Sequence, residues 1–162
     1  MNKWDERFMS LAETVAEWSS CYQQNRHVGA VAVKDKRVLT TGYNGAPAGI
    51  ESCSERGECL RRVKNIPSGT MQEVCYAVHA EQNAIIHASR EAMLGATMYM
   101  TGIEVDSGDY VKNANSCSLC KRMIINAGIE TVVVRDTENE YRVINVQEWI
   151  DNDESLFGRD SY

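Results

Sequence analysis

The feature that most constrains the fold is a run of four β-branched residues, Thr131-Val132-Val133-Val134. β-Branched side chains favour extended backbone. The run lacks the polar alternation of a half-exposed strand, so we expect a strand that is buried on both faces. Together with the helices predicted around it, the run favours an α/β layered fold.

The rest of the chain alternates between helical and strand patterns. Apolar residues at helical spacing predict helices over 4–20, 79–93 and 117–127. Alternating or β-branched runs predict strands over 28–33, 38–42, 97–101, 131–134 and 141–146. The first two strands form a hairpin, and helices alternate with the strands that follow. This order predicts a mixed sheet.

Length and charge limit the partners. The 162 residues fit a single domain over 1–162, with a cysteine-rich segment at 51–76 and an acidic C-terminal tail at 136–162. The net charge of −6 lies in that tail, which holds eight acids and two arginines. The neutral remainder shows no basic stripe, which disfavours long nucleic acids as partners. With no leader pattern and no bilayer-spanning apolar run, we expect a cytoplasmic protein without membrane contact.

Cysteine is the first functional signal. In a reducing compartment, clustered cysteine indicates metal binding or catalysis more often than disulfides. The chain has three histidines and six cysteines: Cys21, Cys53, Cys59, Cys75, Cys117 and Cys120.

One pair of cysteines has metal-ligand spacing. Cys117 and Cys120 are three apart in the first turn of a predicted helix, so both sulfurs face one side. The helix N-terminus favours the thiolate form that a metal requires. His79 can add an imidazole and leave the fourth tetrahedral position to water. Three protein ligands plus water are typical of a catalytic zinc.

A carboxylate two residues after the histidine completes this set. Glu81 can accept a proton from zinc-activated water and return it. On a regular helix, residues i and i+2 point roughly 160° apart, so His79 must lie at the extreme start of its helix. Alone, the cysteine pair also fits a redox pair or half a structural zinc site. Together the two elements match the pattern of zinc deaminases that act on nucleobases.

With these motifs the sequence resembles the cytidine and deoxycytidylate deaminase superfamily, and most of all its deoxycytidylate branch. The resemblance covers most of the chain. It is carried by Val28-Gly29-Ala30-Val31, Gly42-Tyr43-Asn44-Gly45, Val78-His79-Ala80-Glu81-Gln82-Asn83-Ala84-Ile85, Cys117-Ser118-Leu119-Cys120 and Ile124-Ile125-Asn126-Ala127-Gly128-Ile129.

The resemblance implies a fold and a reaction. The fold is a cytidine-deaminase-like three-layer α/β/α sandwich around a five-stranded mixed sheet, usually in a homo-oligomer. His79, Cys117 and Cys120 are expected to bind a catalytic zinc, Glu81 to move protons, and Asn44 to hydrogen-bond the sugar. The reaction is hydrolytic deamination of dCMP to dUMP and ammonia, which supplies thymidylate synthesis. Relatives imply dCTP and dTTP as effectors.

Two features depart from the family pattern. The family usually has Pro before the first paired cysteine, whereas this chain has Ser116, which we expect to cap the helix. The segment 102–116 is an insert, longer than the usual loop, and either alters substrate choice or decorates the surface.

Two further sets of residues are candidates for binding a second metal ion and the phosphate of a nucleotide substrate. Cys21, Cys53, Cys59 and Cys75 are candidates for a second, structural zinc, supported by such a site in some relatives; the alternative is four reduced thiols. For the phosphate we favour Arg26 or His27, at the start of the first strand. Arg61, Arg62 and Arg122 are further candidates.

Other functions stay open at this point. The substrate could be dCTP, a free nucleoside or another base, including adenosine in tRNA, although the absence of a basic face argues against tRNA. A binding module that zinc merely stabilises is a different class. The presence of Glu81 argues against it, because a structural site needs no proton shuttle.

Overall fold

The computed structural model describes residues 1–22, 26–67 and 70–157. Residues 68–69 of the cysteine-rich segment and 158–162 of the acidic segment lie outside this part. The strands are β1 (Arg26–Lys34), β2 (Arg37–Tyr43), β3 (Thr97–Glu104), β4 (Thr131–Arg135) and β5 (Tyr141–Asn145). The helices are α1 (Lys3–Ala16), α2 (Cys53–Arg56), α3 (Leu60–Val63), α4 (Ala80–Ile86), α5 (Arg90–Met93), α6 (Ser118–Ala127) and α7 (Val146–Asn152).

All five strands form one mixed sheet. Their order is β2-β1-β3-β4-β5, and β3 and β4 are the parallel pair. The pairs β1–β2, β1–β3 and β4–β5 are antiparallel. The five-stranded mixed sheet expected from the sequence is confirmed.

β4 is buried on both faces, as its sequence predicts. Val132 and Val134 pack with the α4, α5 and α6 side of the sheet. Val133 points to the other face and packs with Phe8 and Val15 of α1. One sheet between two layers of helices is the three-layer α/β/α arrangement. Within the described ranges, no helix is long and apolar enough to cross a bilayer.

β3 extends three residues beyond the predicted end at 101. The sequence there favours a loop, because glycine and an acid weaken strand propensity. The pairing with β1 overrides this, since Arg26 lies opposite Glu104 and the two side chains form an ion pair of 2.9 Å. The first part of the predicted insert is therefore strand.

The predicted helix over 79–93 is two helices. α4 ends at Ile86, and Ser89 starts α5 by accepting a hydrogen bond of 3.1 Å from the Ala92 N–H. The predicted helix over 4–20 also ends early, at Ala16. The Ser19 hydroxyl instead donates to the Asn44 carbonyl, at 2.8 Å. That contact ties the chain after α1 to the loop after β2.

The acidic C-terminal segment is integrated into the sheet as far as the structure describes it. β5 forms the sheet edge beside β4, and α7 follows directly. Val146 and Trp149 are buried in the core cluster on the α6 side. The acidic residues therefore belong to a packed segment of the fold and not to a solvated tail.

A glycine sets the distance between α4 and the sheet. A Cβ atom at Gly42 of β2 would lie 2.2 Å from the Ala80 carbonyl oxygen and 2.4 Å from the Ala84 nitrogen. Both are backbone atoms of α4, so the clash could not be relieved by rotation of a side chain. Gly42 thus permits the close approach that fixes the start of α4 over the hairpin.

We expect Gly42→Ala to lower the free energy of unfolding by about 3 kcal/mol, because the added methyl must displace helix backbone. Urea denaturation measures this. Gly49→Ala is the control: it has φ +84° and open space around its Cβ position, so only strain of roughly 1–2 kcal/mol is expected. Equal stability of Gly42→Ala and the parent would contradict the interpretation.

Candidate active site

His79 lies immediately before the first helical residue of α4, where its side chain can share a site with Glu81. It is the N-cap of α4, with extended backbone at φ −71° and ψ 155°. Its N–H donates to Oε1 of Gln82 at 2.9 Å. Because His79 is outside the helical register, the opposed orientation of residues i and i+2 does not apply.

The two cysteines open α6. Cys117 is its N-cap, and its sulfur accepts a hydrogen bond from the Cys120 N–H at 3.4 Å. The expectation that Ser116 caps this helix is wrong. Ser116 is buried, and its hydroxyl faces the sulfur of Met100 at 3.7 Å. The cap lies one residue later because the Cys117 sulfur itself accepts the hydrogen bond of the Cys120 N–H.

The imidazole and both sulfurs meet between the starts of α4 and α6. His79 Nδ1 lies 3.2 Å from Cys120 Sγ and 3.5 Å from Cys117 Sγ. Tetrahedral zinc with ordinary bond lengths would separate nitrogen and sulfur by roughly 3.5 Å. In the described part of the chain, these three residues form the one group of metal-ligand atoms within 4.8 Å of one another. The donor set and spacing fit zinc.

The charges at this site call for a cation. A hydrogen bond from the Cys120 thiol, helped by His79, holds the pKa of Cys117 at about 4 against the effect of burial. The pKa of Cys120 is raised, because its thiol bonds to Cys117 and is buried beside Glu81. The hydrogen bond to Cys117 raises the pKa of His79. Without a cation only one of the two cysteines is readily a thiolate, whereas a divalent ion stabilises both.

Glu81 is buried at the same place. Its residue exposure is 5%, and its carboxylate interacts with the Cys120 thiol. A buried carboxylate is costly unless it has a partner. The structure thus brings together all four residues that the sequence identified for the catalytic centre.

The Gly42–Gly45 loop is bonded directly to the start of α4. Gly45 and Val78 exchange two backbone hydrogen bonds, of 3.1 and 2.7 Å, immediately before His79. The Asn83 side chain donates to the Tyr43 carbonyl at 2.8 Å. These contacts fix the loop beside the metal ligands.

The Asn44 side chain is held by β1. Its Oδ1 accepts from the Val28 N–H at 2.8 Å, and its Nδ2 donates to the Arg26 carbonyl at 3.0 Å and to Cys21 Sγ at 3.2 Å. An amide oxygen can accept two hydrogen bonds. Asn44 therefore retains acceptor capacity, and its contact with a sugar stays a prediction.

The two preferred phosphate residues lie on opposite faces of β1. Arg26 has the parity of Val28, which packs on the α4 side. His27 has the parity of Gly29, whose Cβ position lies 2.1 Å from the Ala12 carbonyl oxygen of α1. The structure therefore does not bring His27 to the face of the sheet that carries the metal ligands.

The other arginine candidates have protein partners. Arg61 donates to the carbonyls of Pro67, Thr70 and Met71 and so organises its own loop. Arg122 donates to the Leu156 carbonyl at 3.4 Å.

The four other cysteines lie near one another. Burial, and then the neighbouring Cys75, Cys53 and Cys59, raise the pKa of Cys21 to about 11. Burial, with Cys53 and Cys59 nearby, also raises the pKa of Cys75. Cys53 contacts the Tyr76 hydroxyl at 3.5 Å. The fold has gathered these thiols from three segments, although among the described residues no three of their sulfurs lie within 4.8 Å of one another.

The insert folds back over the end of β3. The Val111 N–H donates to the Gly102 carbonyl at 2.8 Å, and the Val111 side chain covers Gly102 at 3.2 Å from its Cβ position. The Tyr110 hydroxyl donates to Glu13 of α1 at 2.9 Å. The insert is thus attached to both faces of the sheet end, and its effect on substrate choice stays a prediction.

One positioning residue was missed by the sequence analysis. Gln82 bonds back to the His79 N–H, and this contact sets the backbone of the metal ligand. A Gln three residues after an N-cap is the spacing of a capping box. That signal could have identified Gln82.

The fold and the site define a class. An α/β/α sandwich that presents His, two Cys and a buried Glu is typical of metal-assisted hydrolysis by an activated water. Residues 2–136 match the family model for the cytidine and deoxycytidylate deaminase zinc-binding region, and the chain belongs to this family. It is therefore a deaminase, a hydrolytic enzyme.

Individual relatives agree with this assignment. The deoxycytidylate deaminase of Mycobacterium phage D29 is 42% identical over 137 residues, which cover 80% of this chain and 92% of the relative. The deoxycytidylate deaminase of Schizosaccharomyces pombe is 34% identical over 137 residues, 84% of this chain. The chain spans only 38% of the length of that yeast protein.

Solved structures share the fold. The apo dCMP deaminase of cyanophage S-TIM5 aligns with a TM-score of 0.57 and 26% identity, over 86% of this chain and 88% of that chain. A cytidine deaminase from Burkholderia pseudomallei aligns with a TM-score of 0.55 and 19% identity, over 91% of this chain and 95% of that chain. The second likeness concerns the fold alone.

Removing the Gln82 contact should loosen the metal site. We expect Gln82→Ala to speed the release of zinc to a chelator by about 10–100-fold, the usual effect of losing a contact that orients a metal ligand. Gln82→Glu keeps an acceptor at this position and should behave much more like the parent. Gln147→Ala, in α7, is the control. Unchanged release from Gln82→Ala would contradict this role.

Proposed function

We propose that this chain deaminates dCMP hydrolytically to dUMP and ammonia, with a zinc ion held by His79, Cys117 and Cys120. The observation that carries the proposal is the buried Glu81 against a His-Cys-Cys group of the correct spacing. The nucleotide substrate is supported by the phage D29 deoxycytidylate deaminase, which is 42% identical and matched over 92% of its length.

Glu81 and the metal ion have separate roles in the proposed reaction. Zinc at this site would lower the pKa of a bound water to about 7. Glu81 takes a proton from the water that attacks C4 of cytosine and delivers it to N3. Glu81 then carries the second water proton to the amine. The C4–N bond breaks, ammonia leaves and C4 keeps the oxygen as the carbonyl of uracil.

Burial suits Glu81 to this role. A carboxylate shielded from bulk water exchanges protons with the substrate rather than with solvent. General acid–base catalysis of this kind contributes about 10²–10⁴-fold to the rate.

The nucleotide is held by the loop after β2 and the start of β1. Asn44 accepts a hydrogen bond from a sugar hydroxyl with the second lone pair of Oδ1. Arg26 is the better phosphate candidate because it shares the sheet face of Val28, whereas His27 faces α1. The Arg26 ion pair with Glu104 engages Nε, and a guanidinium carries five N–H donors. The ion pair with Glu104 therefore leaves N–H donors of Arg26 available for a phosphate.

We further propose that Cys21, Cys53, Cys59 and Cys75 bind a second, structural zinc. Buried thiols with raised pKa values stay protonated unless a cation is present, and metal binding reverses this. Such an ion would cross-link the residues after α1 to the irregular segment between β2 and α4. It would stabilise the loop that carries Asn44.

We further propose that the dUMP formed serves thymidylate synthesis, that the enzyme assembles as a homo-oligomer, and that dCTP and dTTP act as effectors. Deamination of dCTP, or of another base, is the alternative reaction at the same centre.

The reaction is tested by ammonia release from dCMP, dCTP, deoxycytidine and deoxyadenosine in parallel. We expect turnover of dCMP. Glu81→Ala should lose at least about 10²-fold in kcat while it retains zinc, because Glu81 moves protons and is not a ligand. Turnover of a different substrate alone would move the specificity, and equal rates for the variant and the parent would refute the mechanism.

The second metal is tested by zinc stoichiometry. We expect two zinc ions per chain in the parent, and one in Cys75→Ser and in Cys53→Ser, measured by elemental analysis after gel filtration. Cys117→Ser should lose the other ion together with activity. One ion per chain in the parent would show that the four thiols are simply reduced cysteines.

A further inference from the structure

The helix that carries the cysteine ligands has little support of its own at its start. The first turn of α6 contains no acidic residue, and its N-cap is itself a metal ligand, Cys117. The position before the cysteine is Ser116, without the rigid backbone of a proline. The left-handed Asn113, at φ +54°, precedes this turn. The metal-binding turn therefore needs contacts from elsewhere.

The first such contact comes from β5. Arg142 donates hydrogen bonds to both carboxylate oxygens of Asp136, with Nε 2.6 Å from Oδ2 and Nη2 3.0 Å from Oδ1. A bidentate pair fixes the plane of the guanidinium. Nη2 also donates to the Ala114 carbonyl, three residues before Cys117. The chain is thus held just before the turn.

The second contact comes from the end of α7. Lys121, which follows Cys120, is only 8% exposed. Its Nζ lies 2.5 Å from Asp153 Oδ2 and 5.2 Å from the ring of Trp149. A lysine in the first turn is unfavourable with the helix dipole, and a buried charge needs its counterion. Asp153 therefore stabilises the Lys121 charge one residue after Cys120.

Asp153 is itself fixed. Its Oδ1 accepts hydrogen bonds from the N–H and the hydroxyl of Ser155, at 3.0 and 2.5 Å. These bonds and Lys121 lower the pKa of Asp153 to about 2, with Lys121 the largest cause. The carboxylate is thus charged and oriented at neutral pH.

Polar contacts join the C-terminal segment to the turn, in addition to the packing of Val146 and Trp149 in the core cluster that also contains Ile124 of α6. An open groove of about 580 Å³ lies beside these contacts, lined by residues that include Asn115, Lys121, Trp149 and Asp153. A shift of the turn would break the contacts of Arg142 and Asp153.

From these observations we propose that Arg142 and Asp153 are positioning residues for the metal centre and hold the turn Cys117–Cys120 from outside. We name Arg142, Trp149 and Asp153 the C-terminal clamp. All three lie beyond residue 136, where the match to the family model ends. The inference rests on the proposed function, since it takes Cys117 and Cys120 as the zinc ligands of the reaction.

The test uses the full chain loaded with Co²⁺, whose visible absorption reports thiolate coordination and tetrahedral geometry. We expect Asp153→Asn and Arg142→Lys to change this spectrum and to release the metal to a chelator about 10–100-fold faster than the parent. Arg142→Lys keeps the positive charge but loses the bidentate contact with Asp136. The charge alone should therefore not preserve the parent's spectrum and release rate. With zinc, kcat for dCMP should fall by a similar factor, with KM within about twofold.

Asp151→Asn is the matched control, because it removes one negative charge from the same C-terminal segment, where Asp151 accepts a hydrogen bond from Gln147 and not from the cysteine turn. It should match the parent. Arg142→Lys, the milder change at the sheet edge, keeps the test valid if Asp153→Asn fails to fold. Folded clamp variants with the parent's spectrum and release rate would overturn the inference. A parent that binds no metal or does not deaminate dCMP would instead overturn the proposed function.

Discussion

The site depends on the extended backbone of one residue. Because His79 is the N-cap of α4 rather than part of the helix, its imidazole and the Glu81 carboxylate both reach Cys120. This backbone is held from both sides, by Gln82 within the helix and by the Gly45–Val78 bridge before it. A regular helix through the same residues would point the ligand and the proton carrier apart.

The electrostatics of the centre follow from this arrangement. Two thiols and a carboxylate are brought together where Glu81 and Cys120 are buried, and the Cys117 sulfur takes the negative charge while the Cys120 thiol stays protonated. Such a group is poorly stable without a cation. A divalent cation would stabilise both thiolates, so the arrangement that is unfavourable in the apo centre favours metal binding.

The same chain segments serve folding and function. The loop Gly42–Gly45 packs against α4, holds β1 through Asn44 and joins the thiol cluster through Cys21. At the other end, the C-terminal segment forms the edge of the sheet, and its Asp153 contacts Lys121 directly after the cysteine turn. The charges of this segment therefore include Asp136 and Asp153, which form ion pairs with Arg142 and Lys121.

The sequence by itself determined the layered fold and the four residues that meet at the candidate centre, because β-branched runs, ligand spacing and helix starts are local properties. It misplaced the end of β3, the single helix over 79–93 and the cap at Ser116, where cross-strand pairing, the Ser89 cap and a cysteine sulfur prevail over local propensity. Only the tertiary structure put His27 on the α1 face, gathered the four other thiols and joined Lys121 to Asp153. These depend on contacts between residues far apart in the chain, which no local pattern encodes.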